Sequence, residues 1–255
     1  MIEVERLVML YLFFAGCVLG SFYNVVGLRV PVGESIISPR SHCPVCKHRL
    51  EAWELVPLFS YLFLRGRCRE CQTKISLLYP AVELGTGLLF AVSFYVHRWT
   101  EETLLSFVLV SLLAIIFVSD IRYMLIPDRV LLFFAALILL IRLCFLPSEP
   151  WWDAFLGAAA GFALLYAIAT VSCGGMGGGD VKLFGVLGLI LGWQNTLLAF
   201  FLSCLYGALL GGAALVIGKV ERRKPVPFAP FIVLGTITAY FFGVSLVEWY
   251  VRRIV

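Results

Sequence analysis

The chain has 255 residues, of which 61% are hydrophobic and only 14% charged, and its formal net charge is +4. A soluble domain of this length needs far more polar surface, so a mean hydropathy of +0.97 excludes that class and points to a membrane protein before any motif is considered. The positive balance does not argue for nucleic-acid binding, because the basic residues collect in a few loops, as they do in cytoplasmic loops of membrane proteins.

A helix needs about 20 apolar residues to cross the hydrocarbon core. In chain order the candidate spans are 7–28, 79–97, 103–120, 126–146, 153–172, 181–192, 194–218 and 229–250. The first is longer than the apolar region of a signal peptide and has no clear small-residue cleavage site, so it reads as a retained helix. The sixth is short and reads as tilted, interfacial or joined to the loop before it. The expected fold is an all-α polytopic membrane protein with about eight transmembrane helices, seven being the alternative, and a small zinc-stapled cytoplasmic loop domain. The expected domains are 1–28, a first transmembrane helix; 29–78, the zinc-binding loop; and 79–255, a transmembrane core. No internal repeat stands out.

Charge sets the expected orientation. With the N-terminus outside, fifteen Lys/Arg face inward: Arg29, Arg40, Lys47, Arg49, Arg65, Arg67, Arg69, Lys74, Arg122, Arg129, Lys182, Lys219, Arg222, Arg223 and Lys224. Five face outward: Arg6, Arg98, Arg142, Arg252 and Arg253. The excess places residues 29–78 in the cytoplasm, although the Arg252–Arg253 pair lies on the wrong side. Trp99, Trp151 and Trp152 fall at outer interfaces, where indole rings prefer to lie.

Residues 29–78 carry Cys43-Pro44-Val45-Cys46 and Cys68-Arg69-Glu70-Cys71. A two-residue spacing lets both thiolates of a knuckle reach one metal, and four thiolates fill tetrahedral zinc with no open position, the pattern of a structural site. Gly66 suits a tight turn before the second knuckle. Two disulfides or a redox pair are the rival readings, and a cytoplasmic loop argues against disulfides. His42 and His48 are not needed as ligands. Cys17, Cys144, Cys173 and Cys204 read as small core residues.

An acid beside a transmembrane segment is expensive, so it is a functional candidate by default. Asp120 closes the third span. Asp180 opens the sixth, behind the run Gly174-Gly175-Met176-Gly177-Gly178-Gly179, whose missing side chains would let a substrate backbone approach. Both are expected at the cytoplasmic ends of their helices, which allows them to meet. Two close carboxylates share a proton, so one can act as general base on a water while the other donates to the scissile carbonyl. Asp128, in Ile126-Pro127-Asp128, reads as a helix-start carboxylate. Glu83, in the second span, calls for a polar partner or a cofactor contact.

These segments resemble the type IV prepilin peptidases, or leader peptidase/N-methyltransferases, which are GxGD-type membrane aspartyl proteases. The resemblance rests on Gly20-Ser21-Phe22-Tyr23-Asn24-Val25-Val26 with Arg29 and Pro31. It continues through Gly33-Glu34-Ser35, Pro39-Arg40-Ser41-His42, both cysteine pairs and Trp53-Glu54-Leu55-Val56-Pro57. Tyr79-Pro80 with Glu83, Asp120 with Ile126-Pro127-Asp128, Gly177-Gly178-Gly179-Asp180-Val181-Lys182-Leu183 and Phe228-Ala229-Pro230-Phe231 complete it. Ala229 stands where the family often has Gly. The Gly-x-Gly-Asp segment is shared with presenilin-like proteases, but the cysteine loop and the Gly-Ser-Phe segment are not. The resemblance implies cleavage of type IV prepilins and type II secretion pseudopilins after a glycine at the cytoplasmic face of a bacterial inner membrane. It also implies methylation of the new N-terminus from S-adenosylmethionine, with Asp120 and Asp180 catalytic. Groups suited to the methyl donor's sulfonium are Glu34, Trp53, Glu54, Glu70 and Glu83, with Glu34 and Glu83 favoured over the loop charges Glu54 and Glu70. Membrane lipid is the other expected partner, and nucleic acid is not one. A transporter using the two aspartates as a proton or cation relay is the alternative; it would place relay groups near the midplane.

Overall fold

The computed structural model describes residues 2–146, 150–172, 176–218 and 226–254. Cys173, Gly174 and Gly175 of the sequence reading, and the basic residues Lys219, Arg222, Arg223 and Lys224, lie outside the described residues. Apolar segments in lipid must pair their own backbone groups, which favours helices. Among the described residues there is no β-strand. The helices are α1 (Ile2–Arg29), α2 (Phe59–Phe63), α3 (Leu78–His97), α4 (Glu102–Tyr123), α5 (Asp128–Cys144), α6 (Asp153–Val171), α7 (Gly178–Tyr206), α8 (Gly212–Val216) and α9 (Ala229–Ile254). The chain divides into two compact units, Met1–Arg122 and Tyr123–Val255.

Six stretches among the described residues are long and apolar enough to cross a membrane: Glu3–Val32, Leu78–His97, Glu102–Tyr123, Asp153–Val171, Gly178–Val216 and Ala229–Arg253. The protein is therefore a multi-pass, all-helical membrane protein, with a count that differs from the expected eight for two reasons. α5 has 17 residues, about 26 Å of helix, slightly short of the hydrocarbon thickness. Gly178–Val216 is a single stretch of 39 residues, but its path reverses inside.

The first unit closes through small residues. A Cβ on Gly16 would lie 2.8 Å from the Gly87 Cα, and one on Gly20 would lie 2.9 Å from the Glu83 Cα, so α1 and α3 touch backbone to backbone. Lipid offers no hydrophobic drive between helices, so close packing of this kind supplies the contact energy. α4 joins them through the Tyr23 and Ser111 hydroxyls, 2.6 Å apart, and through Phe90 stacked on Phe107 at 4.5 Å.

In the second unit α7 departs from helical geometry at Gly192, where φ is 70° and ψ 173°. A straight helix would separate residues 184 and 200 by about 24 Å. Their phenyl rings lie 6.0 Å apart, and a Cβ on Gly161 would meet both Phe184 O and Thr196 Cγ2. The chain therefore folds back at Gly192 into a helical hairpin that packs on α6. The break frees backbone groups that need partners. Arg142 of α5 donates to Leu189 O at 3.3 Å and Ile190 O at 2.6 Å, and Asp153 at the start of α6 accepts the Trp193 amide at 3.4 Å.

Of the cysteines expected in cores, Cys17 is buried, but Cys144 and Cys204 are exposed. Both sit on outward helix faces, where their polarisable side chains meet an apolar surround as well as they would in a core.

Gly192 occupies a backbone region that is essentially glycine-only, and a Cβ there would collide with the Asp153 carboxylate. Gly192→Ala should therefore cost about 1–3 kcal/mol. The check is a lower thermal midpoint for the purified variant in detergent, with Gly185→Ala, at a helical position with only ordinary contacts at 3.6 Å and beyond, shifting little.

Candidate functional site

The cysteine loop is built from two copies of one turn. In the first, the Lys47 amide donates to Cys43 O at 3.0 Å, the Cys43 amide to His48 O at 2.9 Å, and the Leu50 amide to Ser41 O at 3.0 Å. In the second, Gln72 donates to Cys68 O at 3.0 Å, Cys68 to Thr73 O at 2.9 Å, and Ile75 to Gly66 O at 2.8 Å. Bridges His42–Arg49 and Arg67–Lys74 repeat the same register. Lys47 and Gln72 each take a positive φ, 59° and 56°, directly after the second cysteine. This is a short structural repeat, where the sequence reading expected none; outside the cysteines the sequence carries it only in pairs such as Arg49 with Lys74 and Leu50 with Ile75, and the backbone makes it plain.

The turns bring four free thiols together. Cys43 Sγ lies 3.7 Å from Cys71 Sγ, and Cys46 Sγ lies 3.8 Å from Cys68 Sγ, with all four within 4.8 Å. A tetrahedral ion with metal–sulfur bonds near 2.3 Å needs sulfurs about 3.8 Å apart, so the donor set fits one metal. The spacing is too long for disulfides. The crowding splits the thiols. The Thr73 hydroxyl and amide draw Cys71 down to about 6. A backbone contact from His48 favours the Cys46 thiolate, but burial and the neighbouring sulfurs push it up to about 12. Gly66 has a φ of 67°, and a Cβ there would strike the Tyr61 hydroxyl, so the expected tight turn is present.

A buried carboxylate backs the first knuckle. Glu54 Oε2 accepts the Glu51 amide at 2.8 Å and lies 3.1 Å from His48 Nε2. Burial alone would raise this carboxyl, but the Glu51 amide and the His48 ring outweigh it and hold it below its ordinary value. Beside it, Arg69 lies over the Trp53 ring at 5.5 Å and reaches Glu51, while the Trp53 indole donates to Glu51.

Of the two glutamates singled out in sequence, Glu34 is exposed, and its carboxylate has no hydrogen-bond or ion-pair partner among the described residues. Glu83 is buried in α3. It accepts the Leu58 amide at 2.9 Å and the Ser21 hydroxyl. Nearby, Asn24 is buried and donates to Tyr79 O at 3.2 Å, while its Oδ1 has no hydrogen-bond partner among the described residues. No contact joins Glu34 to Glu83.

Asp120 is buried three residues before the end of α4, and Ser119 beside it is fully buried. Asp180 lies in the first turn of α7, half-buried, after Gly177 as N-cap; its amide donates to Gly177 O at 3.1 Å. Gly179 admits the Ile126 segment, since a Cβ would come 2.9 Å from the Ile126 Cβ, whereas Gly178 faces open space. Asp128 opens α5 as expected, but it also binds Lys182 of α7, both carboxylate oxygens lying 2.8 Å from Nζ. The sequence reading missed that pair, as it missed Arg142 and Asp153 at the hairpin. Each is a charge at the end of an apolar helix, a signal that was visible without its partner.

Residues 14–97 match the family described as Bacterial Peptidase A24 N-terminal domain, and residues 107–212 match the Type IV leader peptidase family. A prepilin leader peptidase/N-methyltransferase of Bacillus subtilis (strain 168) is 46% identical, over 94% of this chain and 97% of its own. Its counterpart in Aeromonas salmonicida (strain A449) is 34% identical over 95% and 93% of the two chains. One in Myxococcus xanthus (strain DK1622) is 39% identical over 79% and 61%. No solved structure matches the chain significantly.

The Glu54 contribution to the loop has a definite sign. Its folded carboxyl sits below the usual 4.5, so the stabilisation is present above that pH and is lost as pH falls through the folded value. Hydrogen exchange over residues 41–55 should accelerate between pH 5 and pH 3 more in the parent than in a Glu54→Gln variant, at roughly matched intrinsic rates.

Proposed function

The chain belongs to the type IV leader peptidase family, and from that premise we propose that it cleaves the leaders of type IV prepilins and type II secretion pseudopilins and then methylates the new N-terminus. The observation that carries this is the 46% identity to a prepilin leader peptidase/N-methyltransferase over 94% of the chain. The transport alternative finds no support among these relatives. The reading places the active face at the cytoplasmic side of a bacterial inner membrane, with lipid as the surround; it takes residues 29–78 as a zinc-binding loop domain and 79–255 as the protease core.

The proposed catalytic residues are Asp120 and Asp180. What supports them is that each is a carboxylate at the end of an apolar helix, and that both fall within the matched stretch 107–212. In this reading the pair holds one proton. One carboxylate takes a proton from a water that attacks the scissile carbonyl, and the other donates to the carbonyl oxygen. The helix geometry favours Asp180 as the base: the start of a helix stabilises an anion, and the end of one does not. The exposed Gly178 leaves room for a substrate backbone beside it.

Zinc is the proposed metal for Cys43, Cys46, Cys68 and Cys71, because four thiolates at tetrahedral spacing suit it and close the site to chemistry. S-adenosylmethionine, when bound, supplies an electrophilic methyl group on a positive sulfonium. Glu34, exposed and with no partner for its carboxylate among the described residues, is suited to face that charge. Glu83 would act through the Leu58 turn it holds. Trp53 is a poorer candidate, since Arg69 already covers its ring.

Asp120→Asn and Asp180→Asn should each abolish the size shift of a prepilin mixed with purified enzyme, because an amide can neither take nor give the proton. Both proteins should still accumulate in membranes. Asp128→Asn should lose only a few-fold, the scale of an exposed ion pair worth about 1 kcal/mol or less. Full cleavage by either of the first two variants refutes the assignment.

Methyl transfer separates from proteolysis when a pre-cleaved pilin is the acceptor. Glu34→Ala and Glu83→Gln should then incorporate at least roughly tenfold less methyl label, the loss of about 1.4 kcal/mol of binding. Asp120→Asn should incorporate it normally. Unchanged incorporation in both glutamate variants would move the methyl-donor site elsewhere.

A further inference from the structure

Sequence reading gives the whole of residues 29–78 to an aqueous loop, but the structure ties one part of it to the depth of a span. α3 has 20 residues and is about 30 Å long, close to the hydrocarbon thickness. Glu83 is its sixth residue, about 7.5 Å in from the end. Its carboxylate accepts the Leu58 amide at 2.9 Å, so Leu58 is held at the second turn of α3. There the chain makes a positive-φ γ-turn: Leu58 has φ 62° and ψ −49°, and the Phe59 amide reaches Pro57 O at 2.6 Å. A leucine keeps that conformation only where its surroundings hold it.

α2 starts directly from this turn. Phe59, Leu62 and Phe63 are 49%, 71% and 80% exposed, and Leu55 and Val56 before them are exposed as well. In an aqueous loop this apolar surface would have nothing to cover it. Exposed Arg65 and Arg67 follow at once. An apolar face at the depth of a span, rimmed by cations, has the character of an interfacial element.

We propose that α2 lies in the membrane interface, with Phe59, Leu62 and Phe63 among the upper acyl chains and Arg65 and Arg67 at the phosphates of anionic lipids. The depth set by Glu83 and the basic rim both select lipid over the apolar helix of another protein. The cysteine loop is then held to the bilayer beside its link to α3 and does not float above it. This inference needs only that α3 spans the membrane, and it stands or falls independently of the peptidase reading.

The test uses the full-length protein in vesicles of phosphatidylethanolamine and phosphatidylglycerol. An encoded environment-sensitive fluorescent amino acid replaces Leu62, Phe63 or, as control, exposed Gln72, which avoids the thiols. Positions 62 and 63 should emit to the blue of position 72. Nitroxides near the headgroup should quench them roughly twofold more than mid-chain nitroxides, as expected for an element 5–10 Å below the surface. Replacing phosphatidylglycerol with phosphatidylcholine, or combining Arg65→Gln with Arg67→Gln, should lessen that quenching. Positions 62 and 63 are exposed, so substitution there does not threaten the fold, and slower hydrogen exchange over residues 59–64 of the unsubstituted protein in vesicles than in lipid-free detergent gives a label-free second reading. Emission at 62 and 63 matching position 72 would overturn the proposal. So would a blue shift at 62 and 63 that appears only when an apolar peptide is added and comes without lipid-nitroxide quenching, which would make the face a docking surface for another chain.

Discussion

A backbone amide or carbonyl left unpaired inside a bilayer costs several kcal/mol, and most features of this molecule that are not plain helix answer that cost. Where α7 breaks at Gly192, the freed carbonyls of Leu189 and Ile190 take the Arg142 guanidinium, and the Trp193 amide takes the Asp153 carboxylate. Where the chain turns tightly at Leu58, the amide takes Glu83. In each case an ionisable side chain meets a backbone group that the interruption leaves without its helical partner. The pairing lessens the cost of both, and these groups sit at the interruptions of the helical pattern.

The cysteine loop meets a different shortage. It has too few buried apolar side chains for a core, so its order comes from two turns of equivalent register that deliver four sulfurs to one point. The buried Glu54 links the first turn to the segment at residues 51–54 through His48 and the Glu51 amide, and Arg69 on Trp53 and Glu51 links the second turn to the same segment. The four sulfurs, a donor set that could hold a metal, and a polar clamp on the flank therefore meet the same two turns from two sides.

What was legible in the sequence follows from how local each signal is. The spans could be read because apolar runs are contiguous, and the cysteine site could be read because its ligands come in pairs at knuckle spacing. Asp120 and Asp180 stood out because acids are rare beside apolar runs. The hairpin was half visible: the apolar stretch divided near residue 193, but the reversal depends on a single positive-φ glycine and on partners 39 and more residues away in sequence. The same holds for Asp128, whose position at a helix start was evident and whose bond to Lys182 was not. Cys144 and Cys204 were misplaced because apolar neighbours in sequence do not say which side of a helix faces lipid.

In the proposed orientation, cations on both sides are engaged locally: on the inward side Arg29 donates to Ser35 O, Arg69 pairs with Glu51 and Lys182 binds Asp128. Several of the five outward cations are already engaged locally. Arg98 pairs with Glu5, Arg142 caps two carbonyls, Arg252 lies 3.5 Å from Glu248, and Arg253 sits over the Trp249 ring at 5.4 Å. An arginine bound to backbone inside a helical unit is not a loop charge and carries no weight in a rule about loops. The exposed Arg252–Glu248 pair is weak in itself, and the rule counts Lys and Arg and not net charge, so the Arg252–Arg253 pair stays on the wrong side. Arg142 lies within a helix, but so do Arg129 and Lys182 of the inward set, so the proposed orientation rests on the census of sequence charges and not on what each charge touches.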